Sequence, residues 1–200
     1  MNSLRPSRQP LAMRRTLLRG MLAGVALAGA MLAAAPAQAQ PGAAALERSV
    51  KAAFIYKFLG YTEFPSSAFG DPAAPVVIGV VGSEEMAAEL GRIVAGRNIN
   101  NRPVVVRPLR DGENSGAVHL LFVAGADSAQ TARVLRQAPA GPMLLVTECG
   151  DCLQAGSIIN FRIVGQRVRF DVSLDAADKN NIRLSSRLLT VANHVSKGAP

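Results

Sequence analysis

Val76-Val77-Ile78-Gly79-Val80-Val81 has no polar side chain, and five of its six residues are β-branched. A strand with one wet face alternates polar and apolar residues. An unbroken run instead marks a strand buried on both faces, the usual state of a parallel sheet covered by helices. Val118-His119-Leu120-Leu121-Phe122-Val123 and Met143-Leu144-Leu145-Val146 repeat the pattern, and Val104-Val105-Val106 is a shorter version. Helix signals lie between these runs. Ser83 stands in an N-cap position before Glu84, Glu85 and Glu89, acids that suit the positive end of a helix dipole. The turn Gly125-Ala126-Asp127-Ser128 leads into a helix expected over 129–137. Alternating strand and helix predicts βαβ units on a largely parallel sheet.

The flanks read differently. Leu46, Val50, Ala53, Phe54, Phe58 and Tyr61 fall at helical spacing after a tail over 40–44. That helix is expected to end near Phe64-Pro65, because the residue before Pro avoids the helical region. Residues 66–75 read as a loop. Two extended runs, 157–164 and 167–174, flank Gly165-Gln166 and predict a β-hairpin. Alternation through Arg167-Val168-Arg169-Phe170-Asp171-Val172 predicts one wet face and one packed face. A short helical turn near Ala176, a break at Asn180-Asn181, and a last helix capped by Ser185 and carrying Leu188, Leu189, Ala192 and Val195 complete the chain. The expected fold is single-domain α/β: a mixed, mostly parallel sheet flanked by helices, with a C-terminal β-hairpin and helix.

Residues 1–39 read as a signal peptide and 40–200 as the domain it exports. Arg5, Arg8, Arg14, Arg15 and Arg19 precede an apolar stretch rich in Ala and Gly, and no acid occurs before Glu47. Ala37-Gln38-Ala39 has the small-x-small form that signal peptidase cuts, which places cleavage between Ala39 and Gln40. A retained anchor would need an apolar run of roughly 20 residues, longer than this one. A lipid anchor would need Cys where Gln40 stands. Arg14-Arg15-Thr16-Leu17-Leu18-Arg19 resembles a twin-arginine signal, although Met13 and Leu17 depart from its usual residues. The general secretory and twin-arginine routes both stay open, and either leads to the periplasm.

Cleavage changes the charge argument. The whole chain carries 22 Lys+Arg against 14 Asp+Glu, a net +8; five of the arginines and none of the acids precede Gln40, so +3 remains. The residual basic residues are scattered and lack interleaved aromatics, which argues against nucleic-acid binding. A domain of this length buries enough surface to fold without a metal or a disulfide framework. No nucleophile motif accompanies His119 or His194, and Val81-Gly82-Ser83-Glu84-Glu85 puts acids where a phosphate loop would bind its ligand. No catalytic constellation or cofactor is expected, and these exclusions together favour a binding module.

Cys149-Gly150-Asp151-Cys152 is the sole cysteine pair, with three readings. A zinc half-site would have to recruit His119 and His194, yet His119 sits within an apolar strand. A redox-active dithiol needs an electropositive helix N-terminus, whereas Glu148 and Asp151 flank these thiols. A structural disulfide clipping the turn between two strands suits an oxidising compartment and is preferred.

Three segments together resemble the YfiR-like family of periplasmic regulators. They are the stretch from Val50 to Tyr61-Thr62-Glu63-Phe64-Pro65, the strand His119-Leu120-Leu121-Phe122-Val123, and the long C-terminal run. That run goes from Gly156-Ser157-Ile158-Ile159-Asn160-Phe161 through Gly165 to Ala177 and on to Leu184-Ser185-Ser186-Arg187-Leu188-Leu189. The resemblance implies a non-enzymatic repressor, often dimeric, that binds the periplasmic part of an inner-membrane diguanylate cyclase. Such a repressor lowers cyclic-di-GMP and limits biofilm formation. Tyr61, Glu63 and Arg187 are candidate partner- or ligand-binding residues on that basis. Val118 stands before His119 where some relatives place Cys, so a second disulfide cannot form here. Two readings from other classes stay open: a small-ligand sensor with its cleft at the ends of the parallel strands, and a thiol-disulfide oxidoreductase.

Overall fold

The computed structural model describes residues 41–71, 73–113 and 116–197. The expected export signal and the expected Ala39–Gln40 cleavage position lie outside the described residues.

Helix α1 spans Pro41–Gly60 and is followed by the two-residue strand β1, Thr62–Glu63. The βαβ region then runs through β2 (Val76–Val81), α2 (Glu84–Val94), β3 (Asn98–Ile99), β4 (Arg102–Leu109), β5 (Leu120–Val123), α3 (Ser128–Gln137) and β6 (Leu144–Thr147). The C-terminal third adds β7 (Ile159–Val164), β8 (Arg167–Ser173), α4 (Leu174–Lys179), β9 (Arg183–Leu184), α5 (Ser186–Val191) and β10 (His194–Ser196). Eight strands form one sheet in the order β10-β8-β7-β6-β5-β2-β4-β3, and β1 pairs with β9 separately. The five strands β4-β2-β5-β6-β7 are mutually parallel. In chain order they read 2-1-3-4-5, a doubly wound arrangement that reverses direction between β2 and β5.

β5 and β6 are buried at every residue and β2 at all but Val77, as their unbroken apolar runs require. On one face α1 lays Phe54 and Phe58 over Phe161 and Phe170, with ring centroids 4.9–6.3 Å apart. On the other, Val134 of α3 lies beside Val81, Leu109 and Leu121. Gly79 belongs to this second face. A Cβ there would stand 2.8 Å from Leu109 Cδ1 and 3.1 Å from Val118 Cγ1, so the glycine makes room for both side chains.

Four expectations are corrected. First, α1 begins at Pro41 rather than after Ala44, since Pro is tolerated in a first helical turn. Second, it stops at Gly60, before Phe64-Pro65. Thr62 Oγ1 donates to Phe58 O at 2.7 Å, and the chain leaves the helix to pair Thr62 with Leu184. Third, the alternation predicts one wet face through Arg167, Arg169 and Asp171, yet that face is dry at Asp171, which is 7% exposed because β10 pairs with β8 there. Asn193 Nδ2 donates to its carboxylate at 2.7 Å, and Arg162 Nε lies 3.9 Å away. Fourth, the last helix ends at Val191, and Val195 belongs to a strand parallel to β8. A hairpin joins β3 and β4 where the sequence predicts only a strand at Val104-Val105-Val106, and Asn100 and Asn101 (φ 50° and 63°) supply the left-handed pair that its two-residue turn requires.

His119 locks the loop after β1 onto the sheet. Val77 N–H donates to its Nδ1 at 3.1 Å, which leaves Nε2 as the protonated nitrogen, 3.1 Å from Ala68 O. Its ring stacks on Phe69 at 4.5 Å, and the Arg102 guanidinium covers the other face of Phe69 at 3.9 Å. Burial, and after it the charge of Arg102, holds His119 below its ordinary pKa even though the Ala68 carbonyl favours protonation. A base with a lowered folded-state pKa leaves more protons on the unfolded chain just below pH 6.5. Stability is therefore fully present above pH 6.5 and falls on acidification through that value. Urea unfolding at pH 7 and pH 5 is expected to show the loss, and His119→Asn to flatten its slope. Equal slopes in the two proteins would assign the acid sensitivity elsewhere.

Candidate functional site

In doubly wound sheets, ligands approach the carboxyl ends of the strands where the strand order reverses. Here that place lies beyond Val81 of β2 and Val123 of β5, and the chain's own acids occupy it. Ser83 Oγ accepts from Met86 N at 3.1 Å and lies 3.2 Å from Glu85 Oε2. Glu85 is held below the ordinary carboxylate range by its own backbone N–H and then by the Ser83 hydroxyl. At the start of α3, Asp127 Oδ1 accepts from Ala129 N (2.9 Å) and Gln130 N (3.0 Å). Both helix N-termini that could receive an anion thus already hold carboxylates, as Val81-Gly82-Ser83-Glu84-Glu85 predicts for α2 alone.

The next loop is closed in the same way. Glu148, directly after β6, accepts from Gly125 N at 2.7 Å through Oε1 and from Lys51 Nζ at 2.6 Å through Oε2. Lys51 Nζ also lies 2.5 Å from Glu47 Oε1, one helical turn earlier. Burial acts to lower the Lys51 pKa, but the two carboxylates outweigh it and the net shift is upward. This triad clamps the N-terminal half of α1 to the carboxyl edge of the sheet.

Beside the triad lies the Cys149–Cys152 disulfide, with a Cα–Cα separation of 5.5 Å. Both half-cystines are buried, at 3% and 0% exposure. The turn that follows is pinned by a buried polar network. Asn160 Nδ2 donates to Cys149 O at 2.8 Å, while Thr147 Oγ1 hydrogen-bonds Asn160 Oδ1 (2.7 Å) and Ser157 Oγ (2.8 Å). An attacking thiolate needs access and a helix N-terminus, and the residues after Cys152 form turns instead. The geometry is that of a structural clip. Chain-entropy arithmetic for so short a loop gives about 2 kcal/mol. The Cys149→Ser/Cys152→Ser variant is therefore expected to unfold roughly 4–8 °C lower in a thermal scan, at about 2–4 °C per kcal/mol. A loss twice as large would mean that the turn organises more than itself.

Glu47, Lys51, Glu148, Cys149, Arg162 and Ile163 line a cleft of about 460 Å³ at this edge. Among the described residues, no cluster of His, Cys, Asp and Glu is placed to hold a metal ion. Among the described residues, no helix is long and apolar enough to cross a membrane.

Tyr61, Glu63 and Arg187 gather at the other end of α1, around the β1–β9 ladder. Tyr61 O accepts from Ser185 N at 2.9 Å, Glu63 pairs in register with Arg183, and Arg187 N donates to Ser185 Oγ at 3.3 Å. All three side chains are exposed, and none belongs to the cleft beside the cystine. The triad of Glu47, Lys51 and Glu148 was not anticipated. Its one visible signal is a lysine between apolar residues of the first helix, and Glu148 is far from it in sequence.

Fold and site together define a doubly wound α/β domain whose ligand-binding edge is closed by its own carboxylates, a buried lysine and a cystine. A model of the YfiR/HmsC-like family matches residues 48–193, well over half of the chain, and the chain belongs to that family. No curated protein matches it.

Proposed function

We propose that this chain is a non-enzymatic periplasmic regulator that binds the periplasmic part of an inner-membrane diguanylate cyclase and represses it. Residues 1–39 would direct export and be removed, and residues 40–200 would act in the periplasm, as a homodimer. The family match over residues 48–193 carries this reading. The closed edge supports it, because a domain that fills its own anion-binding positions with Glu85, Asp127 and Glu148 is poorly suited to turning over a nucleotide or phosphorylated substrate. Tyr61, Glu63 and Arg187 form part of the partner-binding surface in this proposal.

Deleting the gene is expected to raise cellular cyclic-di-GMP and biofilm mass, and an exported copy to reverse both. Unchanged cyclic-di-GMP in the deletion strain would remove the cyclase from the proposal. The cleft beside Cys149 favours a second reading, a small-ligand sensor. A thermal-shift screen of polar metabolites tests it, and a flat response across the panel would discard it.

A further inference from the structure

The β7–β8 hairpin extends past the strands that flank it. β7 is last paired with β6 at Thr147↔Asn160, and β10 joins β8 only from His194↔Asp171 onward. The three pairs nearest the turn, Arg162↔Arg169, Ile163↔Val168 and Val164↔Arg167, have no strand on either side. Residues 162–167 and Arg169 are exposed. Across the two-residue turn Val164 and Arg167 bond each other, so Ile163 and Val168 direct their N–H and C=O groups outward. Open edges of this kind accept another strand unless they are blunted. The far margin of the sheet is blunted: β4 carries Pro103 and Pro108 and is partly covered by β3. The arm contains no proline.

Its charge specifies the occupant. Arg162, Arg167 and Arg169 share one face of the arm with Val164, while Ile163 and Val168 share the other. Asp171, at the base, is already bound by Asn193 and neighboured by Arg162. Among the described residues, Arg167 and Arg169 form no ion pair. A cleft of about 540 Å³ runs along the outer edge of β8, bounded by Arg167, Arg169 and Val191, which is 60% exposed.

We infer that this arm docks an extended acidic segment of the partner, added as a strand along the outer edge of β8 with an acid at every second residue. Two copies of the arm set edge to edge would instead oppose arginines, and like charges across a strand pair are destabilising. The inference rests on the reading of the chain as a partner-binding regulator.

The probe is a fluorescein-labelled Glu-Val-Glu-Val-Glu-Val peptide titrated with the mature protein and followed by anisotropy. Saturable binding is expected, weakened at least tenfold by Arg167→Glu/Arg169→Glu and by raising salt, while a Lys-Val-Lys-Val-Lys-Val peptide stays unbound. Val168→Pro, which removes the outward N–H, is expected to weaken binding similarly. Thermal scans show whether each variant is folded, and the exposed arginine pair decides the matter if the proline variant is not. Binding that ignores these substitutions overturns the inference. So does arginine-dependent binding to phosphatidylglycerol vesicles in place of the peptide, or an arginine-dependent dimer. In cells, an arginine-pair variant that represses cyclic-di-GMP like wild type sinks the arm and leaves the proposed function standing. A gene deletion without effect on cyclic-di-GMP removes the cyclase and leaves the peptide result to judge the arm.

Discussion

Replacing Lys51 by Met is expected to destabilise the domain by about 3 kcal/mol, the lower end of the range for stripping one partner from a buried ion pair. The Lys51 and Glu148 side chains are 10% and 18% exposed, so neither charge is well solvated. Methionine keeps the apolar stem, which separates loss of charge from loss of packing. Among the described residues, Glu148 is then left with only the Gly125 N–H as partner. Glu47, at 42% exposure, recovers water, and for that reason the lower end of the range applies. At about 2–4 °C per kcal/mol for a domain of this size, the thermal midpoint falls by roughly 6–12 °C. The Lys51→Met/Glu148→Gln double variant is expected to recover more than half of the loss, since contacting residues couple. Strictly additive losses would show that the pair does not act as a unit. The raised Lys51 pKa also has a sign: its stabilisation is fully present below pH 10.5 and is lost as pH rises through the folded-state value. Alkaline unfolding of the wild type is therefore expected to be steeper than that of Lys51→Met.

Phe58→Ala is expected to cost about 3–5 kcal/mol, as for other fully buried phenylalanines. Phe58 is 1% exposed and touches rings on both sides of the helix–sheet interface: Phe54 at 5.9 Å, Phe161 at 5.7 Å and Phe170 at 4.9 Å. Removing it empties the centre of the only aromatic cluster that joins α1 to the hairpin strands among the described residues. Urea denaturation with an unchanged m-value measures the loss. A shift below about 1 kcal/mol would mean that the cluster collapses around the cavity and that α1 is held chiefly by the Lys51 triad.

These two residues show how far local sequence reaches. Phe58 was legible as core because period 3.6 places it with Phe54 and Tyr61 on one helix face. Tyr61 shares that spacing but is 39% exposed, because the helix ends at Gly60 and the chain turns away. Lys51 carries no local sign that it is buried. Its burial depends on Glu148, which lies 97 residues away, and on the loop that carries Gly125. The same limit explains Asp171. Alternation within β8 placed it in water, and only the return of β10 beside it buries it. The β3–β4 turn differs, since Asn100-Asn101 carries its signal locally.

The amino-acid sequence by itself determined the strands buried on both faces, the helix caps at Ser83 and Ser185, the hairpin turn at Gly165-Gln166, and a Cys149-to-Cys152 spacing short enough to close within one turn. Each depends on a steric or hydrogen-bonding preference that acts over a few residues. Tertiary structure alone decided the strand order that reverses at β2 and β5, the triad at the carboxyl edge, and the length of hairpin left without neighbours. Those depend on which distant segments pack together, and that choice follows from burial summed over the whole sheet rather than from any one stretch of chain.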